Sequence, residues 1–249
     1  MTGSPRDHRA EDSLAGRRVL VAGGTGNVGR HIVAALLQRG ATAVVPSRSE
    51  KKLDVLRTSV GEAGERLVTV LGDVGDEEDG VRIRDGITGG LPSGLDAVVA
   101  SLGRWVNAPS MLAATRADLV RSLENYVVAH FVVARTFLPV LVENGGSYTS
   151  INGPSAFGTW PGSGLVSVAT AAQSMLARVL AEEMAPSGSV RVTELVIHPS
   201  AWVGPDDTRR DGPIDGPAVG RYVAGIVAGD VTGGPELHLD SLEQIAMLA

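Results

Sequence analysis

The feature that most constrains this chain is a seven-residue run, Gly23-Gly24-Thr25-Gly26-Asn27-Val28-Gly29, set directly between an apolar strand pattern and an amphipathic helix pattern. Arg18–Ala22 reads as a short buried strand. Residues 29–39 read as a helix with Ile32, Ala35 and Leu36 on one face, ended by Gly40. Small residues at such a turn let the backbone come close to a ligand, while the helix's unpaired N–H groups and dipole favour negative charge. A glycine motif alone says little, but strand, glycine turn and helix in this order form a phosphate cradle for a dinucleotide. Gly23, Thr25, Gly26, Asn27, Val28 and Gly29 are therefore expected to hold a pyrophosphate.

The same alternation continues along the chain. Strands are expected at 43–46, 67–71, 97–101, 146–151, 190–197 and 236–239, and helices at 50–58, 118–142 and 166–185. Several of the strands are nearly all apolar, which implies a parallel sheet covered on both faces. A length of 249 residues fits one α/β domain, a Rossmann-type doubly wound sheet of about seven strands. With 43% hydrophobic residues, 32 glycines and 4% aromatics, its core is built from Val, Ala and Leu. The polar residues 1–17 are expected to be a disordered tail ahead of a domain at 18–249. Residues 200–217, rich in Pro, Gly and Asp, should form a mobile loop over the substrate.

Composition excludes several functions. The net charge is -6 and the basic residues are scattered, so no positive stripe is available for a nucleic acid. Without cysteine there is no disulfide, thiolate nucleophile or cysteine-held metal, and the five histidines show no H-x-x-x-H spacing; no metal is expected. The first residues lack a signal-peptide pattern, and no uninterrupted apolar run reaches the roughly 18 residues of a membrane span. The expectation is a soluble, cytoplasmic protein with no membrane partner.

The second strand ends in Pro46-Ser47-Arg48-Ser49. An acid there would hold a ribose 2′-hydroxyl, whereas Ser47 and Arg48 suit a 2′-phosphate, which favours NADP(H) over NAD(H). Asp73-Val74 closes the third strand, where Asp73 is placed to accept from the adenine amino group.

With these residues in view, the chain resembles the short-chain dehydrogenase/reductase superfamily over residues 18–240. The resemblance rests on the glycine loop, Ser47-Arg48, Asp73-Val74, the segment 131–139, and Ala181-Glu182-Glu183-Met184-Ala185-Pro186 before Val190-Arg191-Val192. It implies that Ser101, Gly103, Thr170 and Pro199 also line the cofactor, and that the two long helices make a homodimer or homotetramer. It further implies a catalytic Tyr-x-x-x-Lys pair early in the helix after the fifth strand. Placing the chain without gaps puts Val166 and Thr170 there, and neither can exchange the proton. The family's serine falls at Gly153 and its asparagine near Tyr126, with Asn125 beside it; Asn-Asn-Ala-Gly has become Ala100-Ser101-Leu102-Gly103. The G-x-x-G-x-x-G spacing is that of the extended and atypical branches.

If the chain is an enzyme, another group must handle the proton. Asn152 and Ser155 are candidates to orient a carbonyl, and His198 is the candidate acid. Ser163, Ser167 and Tyr148 are weaker options, Trp105 between Arg104 and Asn107 is a candidate roof for the nicotinamide, and His130 reads as structural or interfacial. The expected function is an atypical NADP(H)-dependent oxidoreductase acting on a small carbonyl, enone or imine. The alternatives are a catalytically silent dinucleotide sensor or regulatory protein, and a non-redox enzyme on the same fold.

Overall fold

The structure, a computed structural model, describes residues 13–89, 94–104, 110–159, 162–198 and 214–246. Seven strands form one sheet: β1 Arg18–Ala22, β2 Thr42–Ser47, β3 Leu67–Leu71, β4 Ala97–Ala100, β5 Gly146–Asn152, β6 Val190–Ile197 and β7 Glu236–Leu239. All pair in parallel in the order β3-β2-β1-β4-β5-β6-β7. The chain winds outward from β1 to β3, returns, and winds outward again from β4. Strand order therefore reverses between β1 and β4, and at their carboxyl ends such sheets open a binding crevice.

All five residues of β1 are buried, and their side chains alternate between two apolar layers. Val19 and Val21 join Ile32, Leu36, Leu195, Val219 and Val223 on one face. Leu20 and Ala22 join Val44, Val98, Ile83, Phe137 and Leu141 on the other. Each such side chain, fully buried, stabilises the fold by about 1.5–3 kcal/mol.

The helices are α1 Gly29–Gln38, α2 Glu50–Val60, α3 Glu77–Thr88, α4 Arg116–Leu123, α5 Ala129–Asn144, α6 Gly164–Met184, α7 Gly216–Ala228 and α8 Glu243–Ala246. One π turn, Glu124–Val128, joins α4 to α5, so the helix expected at 118–142 contains a bulge at Tyr126. The spans 116–144 and 164–187 have the length and composition to cross a membrane, yet in this fold both are packed against the sheet.

The structure differs from the expected fold at three places. Helix α3 interrupts what read as a connection, because Gly80 and Gly86 weaken its helical pattern and Asp76, accepting from the Asp79 N–H at 3.0 Å, supplies the cap. Helix α7 begins inside the segment expected to be a loop: Asp215 caps it, accepting from the Ala218 N–H at 2.8 Å, and Gly216 and Pro217 form its first turn. Residues 199–213 of that expected loop lie outside the described residues. The fold also starts before Arg18, since Leu14 is buried in the core and its N–H donates to the Arg39 carbonyl at 2.9 Å. Of the expected tail, residues 1–12 lie outside the described residues.

Candidate cofactor and active site

The glycine loop leaves β1 beside the end of β4. Gly23 has φ +80, and a Cβ there would collide with the Ser101 carbonyl oxygen; one at Gly29 would collide with the Gly23 carbonyl oxygen. Ser101 N–H donates to the Ala22 carbonyl at 2.9 Å, and Gly26 N–H to the Gly23 carbonyl at 2.9 Å, so the turn is pinned at both ends. Val28 occupies the N-cap of α1 and provides no side-chain cap. Ahead of α1, Gly26 and Asn27 are exposed and Thr25 and Val28 half-buried, while the Arg30 and His31 N–H groups of the first turn donate to the Gly26 and Val28 carbonyls at 3.0 and 3.1 Å.

At the adenosine end, the Ser47 hydroxyl lies 3.4 Å from that of Thr25 and accepts from the Ser49 N–H at 3.3 Å, joining the glycine loop to the end of β2. Arg48 extends into solvent and pairs with Asp73 at 3.3 Å. Asp73 also accepts from the Gly75 N–H at 2.9 Å, and its own N–H donates to Asp79 at 2.7 Å. That backbone bond, and after it Arg82, hold the Asp79 carboxyl below its ordinary range. Val74 directs its side chain into the core, which leaves only its backbone to the crevice.

At the far end of the crevice, Gly103 has φ +123, and a Cβ there would strike the ring of Tyr126. Tyr126 sits on the π turn and packs against Val166 and Ala169 of α6. Burial pushes its phenol up to about 12, partly offset by a hydrogen bond from the Arg104 backbone. The positions that would carry the tyrosine and lysine are thus closed. Val166 lies under the Tyr126 ring, and the buried Thr170 hydroxyl turns back to the Val166 carbonyl at 2.8 Å.

Two of the expected catalytic residues face the wrong way for their roles. Asn152 is buried: its amide donates to the Thr170 carbonyl at 3.0 Å and to Glu194 at 2.7 Å, while its oxygen accepts from the Gly153 N–H at 2.8 Å. Both N–H donors are used inside the protein, so Asn152 does not orient a substrate carbonyl. Ser155 is buried too, 3.2 Å from the Thr170 hydroxyl. Because Thr170 donates to its own helix, Ser155 must donate to Thr170 and keeps no proton for a substrate. Thr170, likewise buried and committed, offers the cofactor no hydroxyl. Tyr148, one of the weaker options, packs in the core.

Sequence reasoning missed the residue that organises this region. Glu194 in β6 is 1% exposed and accepts from Asn152 and, at 2.7 Å, from the Ser174 hydroxyl. Burial raises its pKa, and the two hydrogen bonds oppose that rise. A glutamate in the middle of a strand rich in Val, Leu and Ile, Val-Thr-Glu-Leu-Val, was the available signal, because a buried carboxyl requires partners. A second chain lies beside it. His130 Nε2 faces the Leu102 carbonyl at 3.4 Å, its Nδ1 faces the Ser150 hydroxyl at 3.3 Å, and Gln173 donates to Ser150 and to the Ile151 carbonyl. Burial pushes the His130 imidazole down to about 4, so it is a neutral structural link, as expected.

His198 stands half-buried just past β6, its N–H donating to the Leu239 carbonyl at 3.0 Å. Its Nε2 lies 2.8 Å from Nδ1 of His238, whose Nε2 lies 3.0 Å from Glu236. Arg178 of α6 donates to the other Glu236 oxygen at 2.7 Å. The bond from His238, and after it Arg178, hold the Glu236 carboxyl below its ordinary range. Pro199, Trp105 and Asn107 lie outside the described residues.

The family profile described as short chain dehydrogenase matches residues 17–202. The chain belongs to the short-chain dehydrogenase family. An uncharacterized oxidoreductase of Mycobacterium tuberculosis is 27% identical over 163 residues, covering 66% of this chain and 60% of its own. Human dehydrogenase/reductase SDR family member 4 is 27% identical over 176 residues, covering 70% and 63%. The match thus spans less than two thirds of these relatives' length. Among solved structures, a short-chain type dehydrogenase/reductase from Mycobacterium ulcerans superposes with a TM-score of 0.78 at 20% identity, covering 94% of this chain and 91% of that one. A structure described as ElxO with NADP bound also gives 0.78, at 16% identity, with 91% and 98% covered. The chain's two lysines are Lys51 and Lys52, so its sequence contains no Tyr-x-x-x-Lys pair at any position.

Proposed function

We propose that this short-chain dehydrogenase is an NADP(H)-dependent oxidoreductase that reduces a small carbonyl, enone or imine with a proton donor other than the family's tyrosine. The observation that carries the reading is the cradle, where added side chains at Gly23 and Gly29 would fill the space against backbone, with Ser47 and Arg48 at its adenosine end. Thr25, Gly26, Asn27 and Val28 would hold the pyrophosphate, Arg48 the 2′-phosphate, and Ser101 and Gly103 the ribose nearer the nicotinamide. Bound there, the reduced cofactor supplies the hydride. Stopped-flow mixing with NADPH or NADH and a panel of ketones, enones and imines tests the reading. The expected result is oxidation with at least one substrate, faster for NADPH. Binding without oxidation across the panel supports the second reading, a silent dinucleotide sensor, which the closed packing at Val166 and Thr170 favours.

The packing of Tyr126 sharpens a restoration experiment. Val166→Tyr with Thr170→Lys forces a second ring into the space Tyr126 fills, and overpacking of this kind costs about 1–3 kcal/mol. Adding Tyr126→Asn frees that space. The triple variant is expected to gain ketone reductase activity over the wild type while the double variant loses thermal stability, read by NADPH absorbance and thermal melts. A triple variant that folds and gains nothing counts against a cofactor posed for hydride transfer.

Helices α5 and α6 expose Phe131, Val168, Met175 and Val179, each more than two-fifths exposed. We infer that a second copy covers this face, giving a dimer or tetramer. Sedimentation velocity should show no monomer at micromolar concentration, and Met175→Glu with Val179→Glu should produce one.

A further inference from the structure

We infer that Glu236, His238 and His198 form a proton relay whose open end, Nδ1 of His198, hands the proton to the reduced substrate; this rests on the oxidoreductase reading. The tautomers follow from the geometry. An ionised carboxylate only accepts, so Nε2 of His238, 3.0 Å from Glu236, carries hydrogen. Neutral His238 then presents a bare Nδ1, and the 2.8 Å contact requires His198 to donate from Nε2. That fixes Nδ1 of His198 as the basic nitrogen, and among the described residues nothing hydrogen-bonds to it.

The loaded relay carries one more proton, on Nδ1 of His198. The hydrogen between the rings can then sit on His238, which places the positive charge beside Glu236. A nicotinamide held in the cradle would supply the hydride for the new C–H bond, with the C–O π pair moving to oxygen. The oxygen takes the Nδ1 proton, the N–H pair returns to the His198 ring, and the shared hydrogen settles on Nε2 of His198. Solvent reloads Nδ1.

The surroundings brace the inner end of the relay. Phe157, two residues after Ser155, lies against the His238 ring at 5.7 Å, and the Arg178 guanidinium lies 5.7 Å over Phe157. The charged groups facing the pair are Glu236 of β7 and Arg178 of α6, with Glu194 of β6 close enough to Glu236 for their charges to interact. His198 itself follows the last residue of β6 at the carboxyl edge of the sheet, the edge where such sheets open their crevice.

Nitrogen-15 NMR of the imidazoles in the full chain, assigned with His198→Gln and His238→Asn, tests the relay without any substrate. The expected spectrum at alkaline pH shows both rings as the Nε2–H tautomer. Glu236→Ala removes the acceptor that fixes the His238 tautomer, so both rings should then show a mixture of Nδ1–H and Nε2–H forms. His198 in the Nδ1–H form in the wild type, or tautomers that Glu236→Ala leaves unchanged, overturns the relay. In turnover, His198→Gln should bind NADPH normally and oxidise it about 10²- to 10⁴-fold more slowly. Full activity in that variant overturns the donor role. A wild type that binds NADPH and never oxidises it sinks the oxidoreductase reading instead, while the tautomers still decide whether the relay exists.

Discussion

Gly23→Ala is expected to abolish dinucleotide binding and to cost the fold about 3–5 kcal/mol, the range of severe backbone and packing lesions. Two effects add at this position. The left-handed backbone at φ +80 costs an L-residue about 1–2 kcal/mol. The new Cβ would also overlap the Ser101 carbonyl, so the exits of β1 and β4 must separate where the crevice is built. Gly16 separates the two effects, because it has φ +79 and nothing within 4 Å of a Cβ. Gly16→Ala should therefore lose only the backbone part and keep NADPH binding. Urea unfolding and NADPH fluorescence titration of the two variants read the difference. Equal midpoints would show that the loop tolerates a side chain and that the close approach to Ser101 is not what shapes the cradle.

The contrast between these two glycines shows which parts of the structure were legible in the sequence. Strands β1, β3, β6 and β7 matched their expected ends because an apolar run bounded by turn residues is a local signal. The glycine loop was legible for the same reason: strand, turn and helix are contiguous. Helices α3 and α7 were not, since their glycines argue against a helix locally. In α7 a distant neighbour explains one of them, because a Cβ at Gly220 would collide with the His31 carbonyl of α1. The catalytic candidates divided along the same line. Asn152 was expected just beyond the fifth strand but is the last residue of β5, Ser155 does follow that strand, and the direction of both depends on Glu194 and Thr170, 42 and 15 residues away. His198 was chosen for its place at the end of the sixth strand, before Pro199, and for its chemistry. That His238 and Glu236 stand in line behind it follows from the pairing of β6 with β7, which no local pattern encodes.

Removing the Glu194 carboxyl is the second change with a large expected effect, and its sign depends on pH. Glu194→Ala leaves the Asn152 amide and the Ser174 hydroxyl without their buried acceptor and opens a cavity, together about 3–5 kcal/mol. Glu194→Gln keeps the shape and removes the charge; its oxygen still accepts from Asn152, and its amide N–H donates to the Ser174 oxygen. Burial raises the folded-state pKa above the ordinary 4.5, so the unfolded chain ionises first as pH rises. The stability that the neutral carboxyl provides is complete below about pH 4.5 and is lost as pH climbs through the raised value, beyond which the penalty is constant. Urea unfolding of wild type and Glu194→Gln should therefore converge in acid and separate with rising pH, the variant becoming the more stable. A constant difference between pH 4.5 and 8 would mean that Glu194 ionises freely in the fold. The consequence reaches the site, because Asn152 links Glu194 to the Thr170 carbonyl and Thr170 holds Ser155. A charge at Glu194 is thus felt beneath the turn at 153–157, where Phe157 covers the His238 ring.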